Sequence, residues 1–194
     1  MIDSIVFPSD NSLGIPVLKP ELQGKFIEKP CYAWGNVPRN SQGVKTWHFY
    51  TDDYRWNALL KKPWQVVDTY PTACAELNIS MWEDTAPALA LADIYKKRWV
   101  ARYWQESGVR IFVDLFVPQP LAEFNLLGVP KGWQSYATRG VSRDLEGLDY
   151  DFKVATEHAG GDVIFVVVGG GADVADWCAI NKAIHLAYRI KKDG

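Results

Sequence analysis

Five ionisable side chains lie within or directly after segments that are predicted to form β-strands, and we take them as candidate catalytic residues. They are Asp52, Asp53, Glu76, Asp114 and Arg139. Ligands of parallel α/β proteins bind at the carboxyl ends of the strands, where such groups converge. The four carboxylates could hold Mg²⁺ or Mn²⁺, because hard cations prefer oxygen ligands. The guanidinium could clamp an anion.

Each of these residues also has a purely structural alternative. Asp52 or Asp53 could cap the helix that is predicted to follow. Asp114 lies on a strand that is predicted to be buried, and a buried carboxylate needs a partner because burying a lone charge is costly. Arg139 is the natural partner, as a structural ion pair or as part of an anion clamp. Glu76 poses the same question.

Polar and glycine residues at the same strand ends are candidate ligand-binding residues. They are Asn78, Ser80, Thr138, Gly169 and Gly170. The glycine turn before the last predicted helix could present backbone N–H groups to a phosphate. It matches neither a Walker A loop nor a complete GxGxxG fingerprint, and Asp173 and Asp176 would oppose a phosphate there. A plain tight turn is the alternative.

A predicted helix at 87–107 interleaves basic and aromatic residues, a pattern that can grip a phosphate backbone and stack bases. Lys97, Arg98 and Arg102 are its candidate nucleic-acid contacts. The alternative is a helix that covers the sheet, with its aromatic side chains in the core and its Lys and Arg side chains in solvent.

Histidine and cysteine form no metal-binding or nucleophilic motif. His48, His158 and His185 stand apart, without an HxH or HExxH spacing, which argues against a zinc site. The three cysteines are far apart and form no CxxC pair. Scattered thiols suit a reducing compartment better than a disulfide framework.

Charge and hydropathy narrow the classes of partner. A formal net charge of −2 gives no global basic field that would draw the chain onto nucleic acid. The first residues do not form a signal peptide, and the longest apolar run, at 163–168, is far too short to cross a bilayer. We therefore expect a cytoplasmic protein without a membrane partner.

The positions of the strands and helices predict an α/β fold built from βα units. Strands are predicted at 45–51, 73–79, 109–117, 135–138 and 162–168, and helices up to residue 60 and at 87–107, 148–159 and 174–190. Alternation of this kind gives a mostly parallel sheet with right-handed crossovers. A complete eight-stranded barrel needs about 250 residues, so we expect a partial or irregular TIM-barrel-like sheet, or an open one. Residues 1–44 are rich in proline and glycine and are expected to form an irregular arm with short strands, packed on a 45–194 core as one domain.

Several sequence motifs are loose when taken one by one, but their order along the chain is specific. They are WHFYTDDYRW, NISMWEDTAP, ALADIYKKRWVARYWQESG, VRIFVDLF, FNLLGVPKGWQSYATRG and VIFVVVGGG, within residues 45–171. This succession resembles the phage- and plasmid-associated family named domain of unknown function 4417. The resemblance implies carriage by a virus or mobile element and no established activity. It also implies an acidic residue two places before Ser80, where this chain has Asn78, and this departure weakens a catalytic carboxylate at that position.

Three classes of function remain open at this point. The first is a nucleic-acid-associated protein of phage or plasmid replication or processing, with single-stranded nucleic acid as its partner. The second is a small-molecule enzyme or binder that holds an anionic ligand in the crevice at the strand ends, with or without a divalent metal. The third is a structural or adaptor protein.

Overall fold

A single parallel sheet organises the chain, for which the computed structural model describes residues 5–36 and 43–187. Seven strands are present within these ranges: β1 (Cys31–Ala33), β2 (Thr46–His48), β3 (Ala73–Ala75), β4 (Arg110–Asp114), β5 (Ser135–Arg139), β6 (Ile164–Val168) and β7 (Ile184–Leu186). Their order in the sheet is their order in the chain, and every neighbouring pair is parallel. The sheet curls into a half-barrel, which confirms the predicted partial-barrel α/β fold.

The helices lie between consecutive strands. They are α1 (Trp64–Val67), α2 (Pro87–Glu106), α3 (Ala122–Asn125), α4 (Leu145–Ala159) and α5 (Ala172–Ile180), with 3-10 turns at Pro20–Leu22, Asp53–Arg55, Asn57–Leu60 and Gln119–Leu121. Proline at the first position of α2 and left-handed Gly160 after α4 explain two of these bounds. No helix among the described residues combines the length and the apolar character that crossing a membrane requires.

The two faces of the sheet carry different packing layers, because side chains alternate along each strand. Trp47, Val113 and Val167 belong to the large apolar cluster that also contains Trp99 and Trp104 of α2. A second, smaller cluster on the inner face of the curl includes Ala75, Phe112, Ala137 and Val166. The cavity on that inner face measures only about 10 Å³, roughly the room of one water molecule. A small-molecule ligand does not fit in this space, so a binding site is expected at the rim formed by the carboxyl ends of the strands.

The described part of the N-terminal arm packs tightly on α2 and β4. The Gln105 side chain accepts from Lys19 N at 2.8 Å and donates to Lys19 O and Leu22 O at 3.1 Å. Gly24 donates to Ile111 O at 2.8 Å. A Cβ at position 24 would lie 2.4 Å from the nearest ring atom of Phe112, so only glycine fits there. The arm positions 1–4 and 37–42 lie outside the described residues.

The two edge strands have three residues each, and sequence prediction gave neither of them bounds. β1 is one of the short strands that were expected in the arm without a stated position. β7 replaces the second half of the helix predicted at 174–190: α5 ends at Ile180, and Lys182 adopts a left-handed φ of 56°. The apolar run that follows fits a helix or a strand, and pairing with β6 decides in favour of the strand. Positions 188–190 lie outside the described residues.

Candidate functional site

Asp114, at the carboxyl end of β4, is the centre of a buried polar network. Its Oδ1 accepts from Tyr50 OH at 2.9 Å and from Phe116 N at 3.1 Å. Its Oδ2 accepts from Lys97 Nζ at 3.1 Å and from Asn78 Nδ2 at 3.4 Å. The side chains of Asp114 and Lys97 are both fully buried. Burial and the adjacent carboxylate raise the pKa of Tyr50 well above its usual value, so its hydroxyl stays protonated and donates.

Arg139 does not pair with Asp114, which corrects the prediction from sequence. Lys97 reaches Asp114 from α2 and supplies the neutralising charge. Arg139 is instead exposed at the end of β5, with its guanidinium carbon 5.9 Å from the centre of the Phe116 ring. Within residues 5–36 and 43–187, no carboxylate lies within 4 Å of its nitrogens.

Glu76 has its own buried cation. It forms an ion pair with Arg98 and accepts a hydrogen bond from Asp114 N at 3.2 Å. Arg98 also donates to Asn125 O at 2.6 Å and to Leu127 O at 3.1 Å. The guanidinium thus joins α2 to β3 and to the segment after α3.

The expected Mg²⁺ or Mn²⁺ site is not assembled by the predicted carboxylates. Glu76 and Asp114 are each engaged by a buried cation, while Asp52 and Asp53 lie outside the buried network. Among the residues that the structure describes, no three His, Cys, Asp or Glu side chains are grouped so that they could hold a metal ion.

Asp52 and Asp53 lie at the rim after β2. Asp52 does not cap the following 3-10 turn with its side chain, and its carboxylate lies 3.6 Å from Arg55 Nε. Asp53 accepts from Ser80 N at 3.2 Å and from Ser80 Oγ at 3.0 Å. These two hydrogen bonds join the loop after β2 to the loop after β3. Asp53 and Ser80 are thus brought together, and Asn78 joins Asp114 instead.

The basic residues of α2 do not form the expected nucleic-acid surface. Lys97 and Arg98 are fully buried and Arg102 is 8% exposed. Arg102 donates to Val17 O of the arm and to Glu106. Lys97 and Arg98 point to the carboxylates that end β4 and follow β3, and the arm contacts Arg102, so the three side chains that were candidates for solvent contact are buried.

Thr138 leads to a buried carboxylate that sequence reasoning missed. Its hydroxyl donates to Asp151 Oδ2 at 2.5 Å. Burial, opposed by this hydrogen bond, raises the pKa of Asp151 to about 8. Asp151 lies one turn from Leu148 and from Ala155, both buried in α4. A carboxylate on the apolar face of an amphipathic helix is the signal that could have found it.

Gly169 and Gly170 form a tight turn between β6 and α5. Their φ values of 86° and 81° are left-handed, and a Cβ at position 170 would lie 2.5 Å from Val174 Cγ2. Asp173, in the first turn of α5, accepts from Arg143 N at 2.7 Å, and this contact holds its pKa below the usual value. The turn therefore has a structural reason for its glycines. Because Arg139 pairs in register with Val168, the turn also lies beside the backbone of Arg139.

A family model described as "Domain of unknown function (DUF4417)" matches residues 7–152 of the chain. The chain belongs to this family. The "Gene 1 protein" of Mycobacterium phage D29 is 28% identical over 135 residues, which are 66% of this chain and 48% of that protein. The corresponding protein of Mycobacterium phage L5 is also 28% identical over 135 residues, 57% of its length. The chain thus spans about half the length of these phage relatives. No solved structure matches it significantly.

The DUF4417 match corrects the extent of the resemblance that the motifs indicate. It begins at residue 7, within the arm, and ends at residue 152, before the VIFVVVGGG motif. Asp114, Arg139 and Asp151 lie inside the matched range, whereas the glycine turn after β6 lies outside it.

Proposed function

We propose that the protein binds an anionic small molecule at the carboxyl rim of its half-barrel, with Arg139 as the main anchor. The observation that carries this proposal is an exposed guanidinium at a strand end without a carboxylate partner among the described residues. Arginine presents a planar fork of donors that matches phosphate and carboxylate oxygens. Its stacking on Phe116 restrains the fork before a ligand arrives, which lowers the entropic cost of binding.

The surroundings of Arg139 support an anion there. Asp114 and Glu76, two of the predicted acids, are already neutralised by Lys97 and Arg98. Exposed backbone at Gly170 lies beside the end of β5 and offers an amide donor. The site lies at the carboxyl ends of parallel strands, where ligands of such folds bind. The relatives are phage proteins, and we propose the cytoplasm of the host cell as the place of action.

Thermal-shift screening against phosphate, sulfate, nucleotides, sugar phosphates and dicarboxylates tests the proposal. We expect at least one ligand to raise the melting temperature, because a ligand at 100 times its Kd stabilises the folded state by about 2.7 kcal/mol. Arg139→Ala should weaken binding of that ligand by about 10- to 100-fold, the value of a charge-assisted hydrogen bond. Arg139→Lys should recover part of the loss, since it keeps the charge and loses the fork.

Lys153→Ala is the matched control, because it removes an exposed cation from α4 whose side chain is 70% exposed. It should leave binding unchanged. An anion that binds equally to the wild type and to Arg139→Ala would show that Arg139 is not the anchor. A screen without any stabilising anion would contradict the proposed function.

Single-stranded nucleic acid is the second candidate ligand, and exposed aromatic side chains favour it. Tyr54 is 71% and Trp82 69% exposed, in the two rim loops that Asp53 and Ser80 join. Exposed rings of this kind stack on bases. The candidate rests on these loops alone, because the basic residues of α2 are buried.

Binding of a labelled single-stranded oligonucleotide at low salt, followed by fluorescence anisotropy, tests this candidate. Loss of one stacking ring should weaken binding by about five-fold or more, so Trp82→Ala is the informative variant. Tyr70→Ala is its control, because Tyr70 is 84% exposed but precedes β3 and so lies at the opposite rim. Absent binding, or equal effects of the two variants, would remove the candidate.

A further inference from the structure

The charges buried at the carboxyl ends of β3, β4 and β5 do not cancel. Besides Tyr50, whose hydroxyl stays protonated, the ionisable side chains at most 8% exposed in this cluster are Glu76, Lys97, Arg98, Asp114 and Asp151. Lys97 pairs with Asp114, and Arg98 pairs with Glu76. Asp151 is the third carboxylate, and no cation of the described chain lies within 4 Å of it.

A single neutral group contacts the Asp151 carboxyl through a hydrogen bond. This group is the hydroxyl of Thr138, which is itself fully buried. An ionised carboxylate in the interior requires a cation or several donors to offset its lost hydration. One hydroxyl is too little, so the neutral acid is the favoured form.

The charges that face Asp151 from the neighbouring elements do not reverse this preference. Asp114 on β4 and Asp144 at the start of α4 both oppose its ionisation, and Lys97 on α2 favours it. Burial is the largest effect and, with these charges, raises the pKa of Asp151 to about 8. The cluster therefore holds one proton, on Asp151, and this proton is lost to solvent slightly above neutral pH.

We propose that Asp151 carries a proton at neutral pH and that this proton controls the affinity of the rim for anions. The second half of the proposal rests on the proposed function of Arg139. Thr138 and Arg139 are consecutive in β5, so their side chains project to opposite faces of the sheet. Asp151 thus lies behind the strand whose front carries the anion anchor, and its ionisation places a negative charge behind the site.

Linkage gives the sign of the coupling. An anion at Arg139 opposes ionisation of Asp151, and by reciprocity the ionised form of Asp151 weakens anion binding. Two unit charges roughly 10 Å apart near a protein surface repel by about 1–2 kcal/mol, and salt reduces this. We therefore expect about three- to ten-fold weaker binding once Asp151 has lost its proton.

The proton can be measured in the free protein. Carboxyl ¹³C NMR, assigned by the resonance that Asp151→Asn removes, should show a midpoint near pH 8 for Asp151. Thr138→Val should raise the midpoint further, because the lost hydrogen bond lowers the pKa of Asp151. A midpoint below about pH 7 would overturn the whole proposal, because Asp151 would then be ionised at neutral pH.

Stability provides a second readout of the same proton. The pKa of Asp151 is higher in the folded chain, about 8, than its ordinary value of 3.8. The unfolded chain therefore loses its proton first, and the free energy of unfolding should fall as pH rises from about 4 to about 8. Asp151→Asn should remove this part of the slope, whereas an unchanged slope would contradict a protonated Asp151.

Sulfate, which does not titrate in this range, is the probe for the coupling. The Kd of sulfate, measured by calorimetry, should be about three- to ten-fold higher at pH 9 than at pH 6.5 in the wild type. The control variant Glu157→Gln, which changes an exposed carboxylate of α4, should show the same increase. Asp151→Asn should bind equally at both pH values. Sulfate binding that is independent of pH in the wild type would overturn the coupling. Absent sulfate binding, with Asp151 titrating near pH 8, would overturn the coupling but support the proton on Asp151, and the anion site itself is decided by the wider ligand screen.

Discussion

Replacing Arg98 with methionine is expected to lower the free energy of unfolding by about 3–5 kcal/mol, because it leaves Glu76 charged and without a partner in the interior. Both side chains are fully buried. The change also removes the donors to Asn125 O, at the end of α3, and to Leu127 O, which only this guanidinium is seen to reach among the described residues. Methionine fills much of the space of the apolar part of the arginine side chain. The loss of stability therefore measures the effect of the missing charge rather than that of a cavity.

Urea unfolding followed by tryptophan fluorescence measures this loss. The double variant Arg98→Met with Glu76→Met should regain a large part of the stability, since removing both charges of a buried pair is far less costly than removing one. Lys153→Met is the control: its ion pair with Glu157 is exposed, at 3.8 Å, and should contribute less than about 0.5 kcal/mol. A loss below about 1 kcal/mol for Arg98→Met would mean that Glu76 finds another way to be neutral.

Sequence signals from neighbouring residues predicted the helices and strands in the interior of the fold well. The helix predicted at 87–107 is α2, Pro87–Glu106, because proline at its start and Gly108 beyond its end act through the backbone of a few neighbouring residues. The buried strands β4 and β6 were found because continuous apolar runs bounded by turns are typical of parallel sheets. The edge strands β1 and β7 have only three residues each, and their pairing is decided by distant chain segments.

The direction of the basic side chains of α2 could not be predicted from its own sequence. A helix in a two-layer protein has one buried face, and Lys and Arg on the other faces are expected in solvent. Here the arm covers the outer face: Trp99 Nε1 donates to Ile5 O at 2.9 Å, and Arg102 donates to Val17 O. This second layer on α2 comes from residues more than 80 positions away in the chain.

The position of Asp114 in the sheet was predicted, but its ion-pair partner was not. Strand periodicity correctly brings Asp114 to the carboxyl end of β4, beside Glu76. The predicted partner of Asp114 was wrong. Arg139 was chosen because it lies on a neighbouring strand, whereas Lys97 reaches Asp114 from α2, in the helix layer. Long flexible side chains can reach from a helix to the sheet, and the alternation of side chains along a strand does not predict such contacts. Because Lys97 neutralises Asp114, Arg139 has no carboxylate within 4 Å in the described part of the chain.

Replacing Gly128 with alanine is expected to lower the free energy of unfolding by about 2–5 kcal/mol, because the new Cβ would meet the arm. Gly128 has a φ of 73°, and a Cβ there would lie 2.1 Å from Pro16 O and 3.3 Å from Arg98 Cγ. Its own carbonyl accepts from Leu18 N at 2.9 Å. The backbone of the arm cannot move away without breaking this hydrogen bond and exposing buried Leu18.

Gly132→Ala separates this clash from backbone strain. Gly132 has a similar φ of 80°, but no atom lies within 4 Å of its added Cβ, so its cost should be limited to about 1–2 kcal/mol of strain. If arm and core unfold as one domain, thermal unfolding of Gly128→Ala should remain a single transition at a lower temperature. A separate early transition, or equal losses for the two variants, would mean that the arm detaches at little cost. We expect the single transition, because the arm provides hydrogen bonds to Gln105 and Arg102 that α2 cannot replace from solvent once the core is closed.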